Sequence, residues 1–234
     1  RRFNLDKLNW GLIGGGDGSQ VGFAHRAAAQ LDGKFNFVAG ALDLDPDRAR
    51  EFGVTLGLES SRSYGSWQRM LVAEKAIKGK ERINLVTIAT PNSTHFEITK
   101  AFLESGFHVL CEKPLTMTVE EAKALVVIAK KSSKVCAVNY GYTGYPMVRQ
   151  MRSMIMAGEL GEIRLVVAEF AGGFMADSAD AENPRVKWRF SSKQSGMAAI
   201  TVDCGIHALN MACFVTNKKV VEVSSDFASG IKSR

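Results

Sequence analysis

The chain has 234 residues, 46% hydrophobic and 23% charged, the composition of an ordinary globular protein large enough for one sizeable domain or two modest ones. Its net charge is +6, but the lysines and arginines are scattered, in pairs such as Lys130-Lys131 and Lys218-Lys219, and no nucleic-acid-binding spacing accompanies them. No stretch approaches the length of a membrane span, and Cys111, Cys136, Cys204 and Cys213 form no C-x-x-C pair, so they read as reduced thiols of a cytoplasmic protein.

In chain order, LNWGLIG (8–14) is a short apolar run ending in glycines and predicts a buried strand. This also sets aside an export signal at Arg1-Arg2, because the apolar run after it is that strand. Residues 21–31 have helical spacing, and FNFVAGAL (35–42) predicts a second strand. DPDRAREFG (45–53) opens on acids with Pro46 in the first turn and closes on glycine, as a helix does. Residues 66–77 predict a helix, 83–90 a strand, 95–105 a helix stopped by Gly106, 107–111 a strand, 119–132 a helix and 134–140 a strand. Continuous apolar strands separated by helices imply an α/β, doubly wound parallel sheet covered on both faces. Ligands in such folds bind beyond the carboxyl ends of the strands.

After Gly144 the pattern changes. Residues 147–157 predict a helix, 163–170 a strand, 172–194 a polar loop, 205–216 a helix and 220–227 a strand. The expected division is therefore a Rossmann domain over 1–144 and the start of a second, α+β domain over 145–234.

The stretch GLIGGGDGSQVGFAHR (11–26) raises a spacing problem, because no G-x-G-x-x-G fits it. A pyrophosphate at a helix start needs backbone N–H groups with no Cβ in the way. Gly14 and Gly16 can supply the tight turn and the close approach. Gly22 can be the third, helix-packing glycine if the intervening loop, with Gly18 inside it, is longer than usual. Ser19 can add a hydroxyl to a phosphate, and Asp17 should point outward. A structural glycine turn would also account for the run taken alone. Asp43, at the end of the second strand, can accept from an adenosine ribose and repels a 2′-phosphate, which favours NAD over NADP. A turn or capping role is open to it too, and Arg48 is near enough in sequence to reach a phosphate.

Further groups sit at strand ends. Thr90, Pro91 and Asn92 follow the strand 83–90, where a nicotinamide ribose would lie or where they would simply cap a helix. Glu112-Lys113 follows the next strand, with Pro114 stiffening the turn. Asp203 and His207, four residues apart, share one helix face, as a carboxylate that orients a proton-accepting histidine does, or as a cap beside a core histidine.

Together these motifs resemble the Gfo/Idh/MocA family of oxidoreductases (glucose-fructose oxidoreductase, inositol dehydrogenase, rhizopine catabolism) from about Leu8 onward. The carriers are the glycine loop followed by His25, TPNSTH (90–95), Glu112-Lys113-Pro114, GELGEIR (158–164) and D-x-G-x-H at 203–207. The long GGGDGSQVGFAHR loop and NYGYTGYPMVRQ (139–150) resemble one subgroup. The resemblance implies a Rossmann domain followed by an open mixed sheet that often makes an oligomer contact, so a homo-oligomer is expected. It implies that Gly14, Gly16 and Gly22 hold the pyrophosphate and Asp43 the adenosine ribose. Thr90, Pro91, Asn92 and His95 then line the nicotinamide side, Glu112 binds near its ribose, and Lys113, Asp203 and His207 form the catalytic group. No metal is expected.

Departures are visible. The family often carries an arginine soon after 135–139, where this chain has Asn139-Tyr140-Gly141-Tyr142, so Tyr140 and Tyr142 are candidates to line the substrate site. Trp188 and Arg189 are candidates for substrate or cofactor contact, or for a packed aromatic with a surface cation. The family's second domain implies more strands than the chain holds, so the sequence reads as C-terminally incomplete, either a piece of a longer protein or a shortened member. The expected activity is NAD(P)-dependent oxidation of a secondary alcohol on a sugar, sugar derivative or cyclic polyol, with no membrane or nucleic-acid partner. Two alternatives remain: redox-neutral elimination or glycoside cleavage on the same fold, and a non-catalytic nucleotide-binding regulator.

Overall fold

The apolar run before the glycines becomes a strand of a five-stranded sheet in a computed structural model that describes residues 7–172, 180, 182, 183, 186–196 and 201–228. The strands are β1 (Leu8–Gly14), β2 (Phe35–Ala41), β3 (Leu85–Ala89), β4 (His108–Glu112) and β5 (Cys136–Asn139). Their order is β2-β1-β3-β4-β5 and every pairing is parallel. A lone parallel bridge from Gly40 to Ser63 extends the sheet past β2. The order reverses at β1, which is flanked by β2 and β3, so the crevice of this doubly wound sheet opens at the carboxyl ends of those strands.

Helices cover both faces. They are α1 (Gln20–Leu31), α2 (Pro46–Thr55), α3 (Trp67–Ala76), α4 (His95–Glu104) and α5 (Val119–Ser132). The buried residues of α4 are His95, Ile98, Thr99, Phe102 and Leu103, the i, i+3, i+4 spacing of a single apolar stripe. Ile98, Phe102 and Leu103 join Ile13, Val86, Ile88, Phe107 and Val109 in the main core. Each such side chain contributes about 1.5–3 kcal/mol by leaving water. Trp10 and Leu12, which alternate with Ile13 along β1, pack with Leu42 in a second cluster on the other face. The Trp10 indole donates to Thr87 Oγ1 at 2.8 Å, so its buried N–H is satisfied.

Helix ends follow local chemistry. Asp45 caps α2 with Pro46 at its first position, and Thr118 with Glu121 forms a reciprocal capping box on α5. The chain before α3 is tied down by a buried pair: the Arg62 guanidinium donates two bonds to the fully buried Glu74, which also accepts from Tyr64 Oη at 3.0 Å. Burial, then the Glu74 charge, pushes the Tyr64 phenol up.

The chain divides into two units, residues 1–139 and 140–234. The break falls just before the boundary at 144 expected from sequence, because the turn at Gly141–Gly144 leads directly into α6 (Pro146–Met156). The second unit also holds the short α7 (Ser192–Ser195), overlapping the end of the segment 172–194 expected to be loop, and α8 (Ile206–Thr216), which follows a π-helical turn at Thr201–Gly205. Arg152 of α6 donates to Phe214 O and, at 3.0 Å, to Asn217 Oδ1, tying α6 to the end of α8. Residues 163–170 and 220–227, expected as strands, make no ladder among the described residues. Alternation alone does not make a strand: Leu165 and Val221 are 79% and 97% exposed, and no described strand of this unit supplies the hydrogen bonds. No helix among the described residues is long and apolar enough to cross a membrane.

Candidate active site

The glycine loop closes on itself and on two strand ends. Gly14, with φ +74°, is paired to Ala89 across the sheet, and a Cβ on it would lie 2.4 Å from Ala89 O. A Cβ on Gly16 would lie 2.4 Å from Leu42 O, just past β2. A Cβ on Gly22 would lie 2.1 Å from Gly15 O, so this glycine lets α1 rest on the loop. At all three glycines protein backbone stands at the Cβ position, so the loop is a close-packed turn at the start of α1, the place where a pyrophosphate binds in such folds. Gly18 takes φ +70° inside the loop. Ser19 caps α1, its Oγ accepting from Gly22 N at 3.0 Å, which leaves its O–H as a donor. Asp17 is exposed, as expected. Arg26, which the sequence did not single out, steadies the loop by donating to Gly15 O at 2.7 Å.

Asp43 stands beside this loop: its Oδ2 is 3.6 Å from the Cβ position of Gly16. Its Oδ1 accepts from Asp45 N at 2.8 Å and from Arg48 Nη2 at 3.0 Å. The turn role is thus filled by one oxygen, and the other lies on the glycine side.

At the end of β3, Thr90 accepts from Thr94 Oγ1 at 2.7 Å, and Pro91 and the buried Asn92 enter a 3-10 turn before α4. His95 is fully buried, with Nδ1 2.7 Å from Pro114 O and Nε2 2.9 Å from Thr90 O. Burial holds its pKa below the ordinary value, against the pull of those two carbonyls. His95 thus braces the Thr90 turn against the Glu112–Pro114 turn from a buried position.

Glu112 ends β4. Its Oε1 accepts from His25 Nε2 of α1 at 2.8 Å and from Asn139 Nδ2 of β5 at 2.6 Å, and its Oε2 accepts from Lys113 N at 3.3 Å. Burial alone would raise this carboxyl, but the His25 and Asn139 bonds outweigh it and hold the group below the usual carboxylate range. Lys113 follows, partly exposed.

The second unit builds a cluster around His207. The Tyr142 ring meets the imidazole edge-on at 4.7 Å, Phe170 stacks on it at 5.7 Å and 20°, and Tyr140 lies edge-on at 6.5 Å. Both tyrosines proposed from sequence are brought to His207, together with Phe170, which was not foreseen. Asp203 lies in the π-helical turn, one element before His207, and its Oδ2 accepts from Arg189 Nε at 2.8 Å. Arg189 also stacks on Trp188, its guanidinium carbon 4.5 Å from the ring centre. Arg189 is thus tied both to Asp203 and to the Trp188 ring.

The Gfo/Idh/MocA model, described as an oxidoreductase family with an NAD-binding Rossmann fold, matches residues 8–140, and the C-terminal domain model of the same family matches 148–233. The chain belongs to the Gfo/Idh/MocA oxidoreductase family. It is 41% identical to the uncharacterized oxidoreductase YfiI of Bacillus subtilis over 230 residues, covering 97% of this chain and 58% of that one. It is 34% identical to levoglucosan dehydrogenase of Pseudarthrobacter phenanthrenivorans over 222 residues, covering 92% and 52%. An inositol dehydrogenase homolog from Azotobacter vinelandii complexed with NAD+ superimposes with a TM-score of 0.85 at 44% identity, over 90% of this chain and 54% of that one. The same homolog complexed with NADH and myo-inositol gives a TM-score of 0.81. The chain thus spans about half the length of the relatives it matches.

Proposed function

We propose that the protein is an NAD-dependent dehydrogenase that oxidises a secondary alcohol of a sugar, sugar derivative or cyclic polyol. The observation that carries this reading is the close-packed turn of Gly14, Gly16 and Gly22 at the reversal point of the sheet, beside Asp43. Gly18 and the Ser19 hydroxyl complete the pyrophosphate site at the start of α1. Asp43 Oδ2 takes the adenosine ribose. Thr90, Pro91, Asn92 and Glu112 face the nicotinamide end, with His95 behind them.

A bound nicotinamide would supply the hydride acceptor. The protein's part is to manage the proton and the charge. His207 takes the hydroxyl proton, Asp203 stabilises the charged imidazole while Arg189 holds Asp203 in place, and Lys113 hydrogen-bonds the reacting oxygen. Tyr140 and Tyr142 offer ring faces beside His207 for the apolar C–H surface of a sugar or inositol ring. The likeness to proteins whose names specify levoglucosan and inositol supports this substrate class.

In the same reading the long Gly14–Gly22 loop marks the expanded-loop subgroup, the free cysteines suit the reducing cytoplasm, and the second unit takes part in a homo-oligomer. The test is the absorbance of reduced nicotinamide when the protein is mixed with NAD or NADP and a panel of aldoses, inositols and glycosides. A rise with NAD and one substrate class is expected. Cofactor binding with no rise on any member would favour redox-neutral chemistry or a regulator.

A further inference from the structure

We propose that His25 is a positioning residue for the cofactor: with Asn139 it fills one oxygen of Glu112 and so presents the other, Oε2, to a hydroxyl of the nicotinamide-side ribose. Three elements of the first unit converge here. His25 comes from α1, Glu112 from the end of β4, and Asn139 from β5, where it is paired in register with Glu112. The His25 and Glu112 side chains are only 10% and 13% exposed, so water does not compete freely for the contact.

The donor inventory fixes the direction of each bond. A carboxylate only accepts, so His25 Nε2 and Asn139 Nδ2 both donate to Oε1, at 2.8 and 2.6 Å. Oε1 is thereby used twice. Oε2 takes one long bond, 3.3 Å, from Lys113 N and keeps acceptor capacity for a hydroxyl. With Nε2 committed as a donor, rotating the His25 ring would break the bond, and the carboxylate plane is held with it. His25 also sits on the helix that begins at the glycine turn, so the same rigid element carries the pyrophosphate site and the brace for the ribose acid.

The inference rests on Glu112 being a ribose ligand, and three nucleotides separate the two claims. ADP lacks the second ribose, whereas ADP-ribose and NAD carry it. Affinities of the full chain for all three are measured by calorimetry for the parent, His25→Ala, His25→Gln and Glu112→Gln. His25→Ala and Glu112→Gln should each weaken ADP-ribose and NAD by about tenfold, the scale of one charge-assisted hydrogen bond, and leave ADP within about twofold. His25→Gln, which restores an N–H donor, should recover most of the loss.

An equal loss for ADP in His25→Ala would make His25 a structural prop of the loop and overturn the proposal. Unchanged ADP-ribose affinity in His25→Ala alongside a loss in Glu112→Gln would overturn it too, while leaving the ribose role of Glu112 standing. No loss in either variant would remove that role and the inference with it.

Discussion

Gly22 and Gly15 touch through bare backbone: a Cβ on Gly22 would sit 2.1 Å from Gly15 O and 2.5 Å from Gly15 Cα. This contact explains why the third glycine stands farther along the chain than the usual hexapeptide allows. The loop is longer, but the helix still has to rest on it. Gly22→Ala is expected to force backbone rather than a flexible side chain to move, at about 1–3 kcal/mol. Urea unfolding and an NAD titration should both register it, as a lower midpoint and a weaker affinity.

Asp43 is expected to set the choice between cofactors. Its carboxylate lies beside Gly16 and bonds Arg48. In Asp43→Ser the repelling charge is gone and Arg48 loses its partner, leaving the guanidinium for a 2′-phosphate. The ratio of NADP to NAD affinity should rise by at least about tenfold, a difference near 1.4 kcal/mol. Paired titrations with the two cofactors measure it, and an unchanged ratio would remove Asp43 from the adenosine-ribose role.

The Glu112 carboxyl is held below its ordinary range in the folded protein by His25 and Asn139, against the upward pull of burial. A group depressed on folding contributes stability that is fully present above its unfolded pKa, about 4.3 for glutamate. That contribution is lost as pH falls through the lower folded value. The parent should therefore lose stability more steeply than Glu112→Gln between pH 5 and the acid limit. Thermal midpoints of the two proteins across that window give the comparison.

Lys113 is assigned a role in chemistry rather than in cofactor capture. Lys113→Ala should lower kcat by roughly 100-fold or more, the range for losing one polar group at a reacting oxygen, with NAD affinity kept within a few-fold. Steady-state kinetics and a separate NAD titration distinguish the two effects. Normal turnover would remove Lys113 from the catalytic group.

Much of the first unit was legible because its signals are local. The apolar runs ending in glycine or in short polar residues became β1 to β5, with ends within a residue or two of expectation, since a strand buried on both faces has few other ways to read. The strand-end positions of Gly14, Asp43, Thr90 and Glu112 followed from the same logic. His25 was visible only as part of a motif, because its partner lies 87 positions away and sequence spacing carries no record of that contact. The bracing contacts of His95 were hidden for a related reason: its nitrogens meet the carbonyls of Thr90 and Pro114, the second of them 19 positions away in another turn. Residues 163–170 alternate like a strand, yet alternation describes one side of a pairing and says nothing of whether a partner strand is there. Phe170, at the end of that run, was placed beside His207 by tertiary packing alone.

The most direct test of the central claim follows the hydride itself. Myo-inositol or a responsive sugar carrying deuterium at its ring carbinol carbons is incubated with the full protein and NAD, and the cofactor is recovered for mass spectrometry. Reduced cofactor carrying one deuterium on the nicotinamide ring is expected. Substrate turnover with no deuterium on the recovered cofactor would contradict a dehydrogenase that delivers hydride to a dissociable NAD.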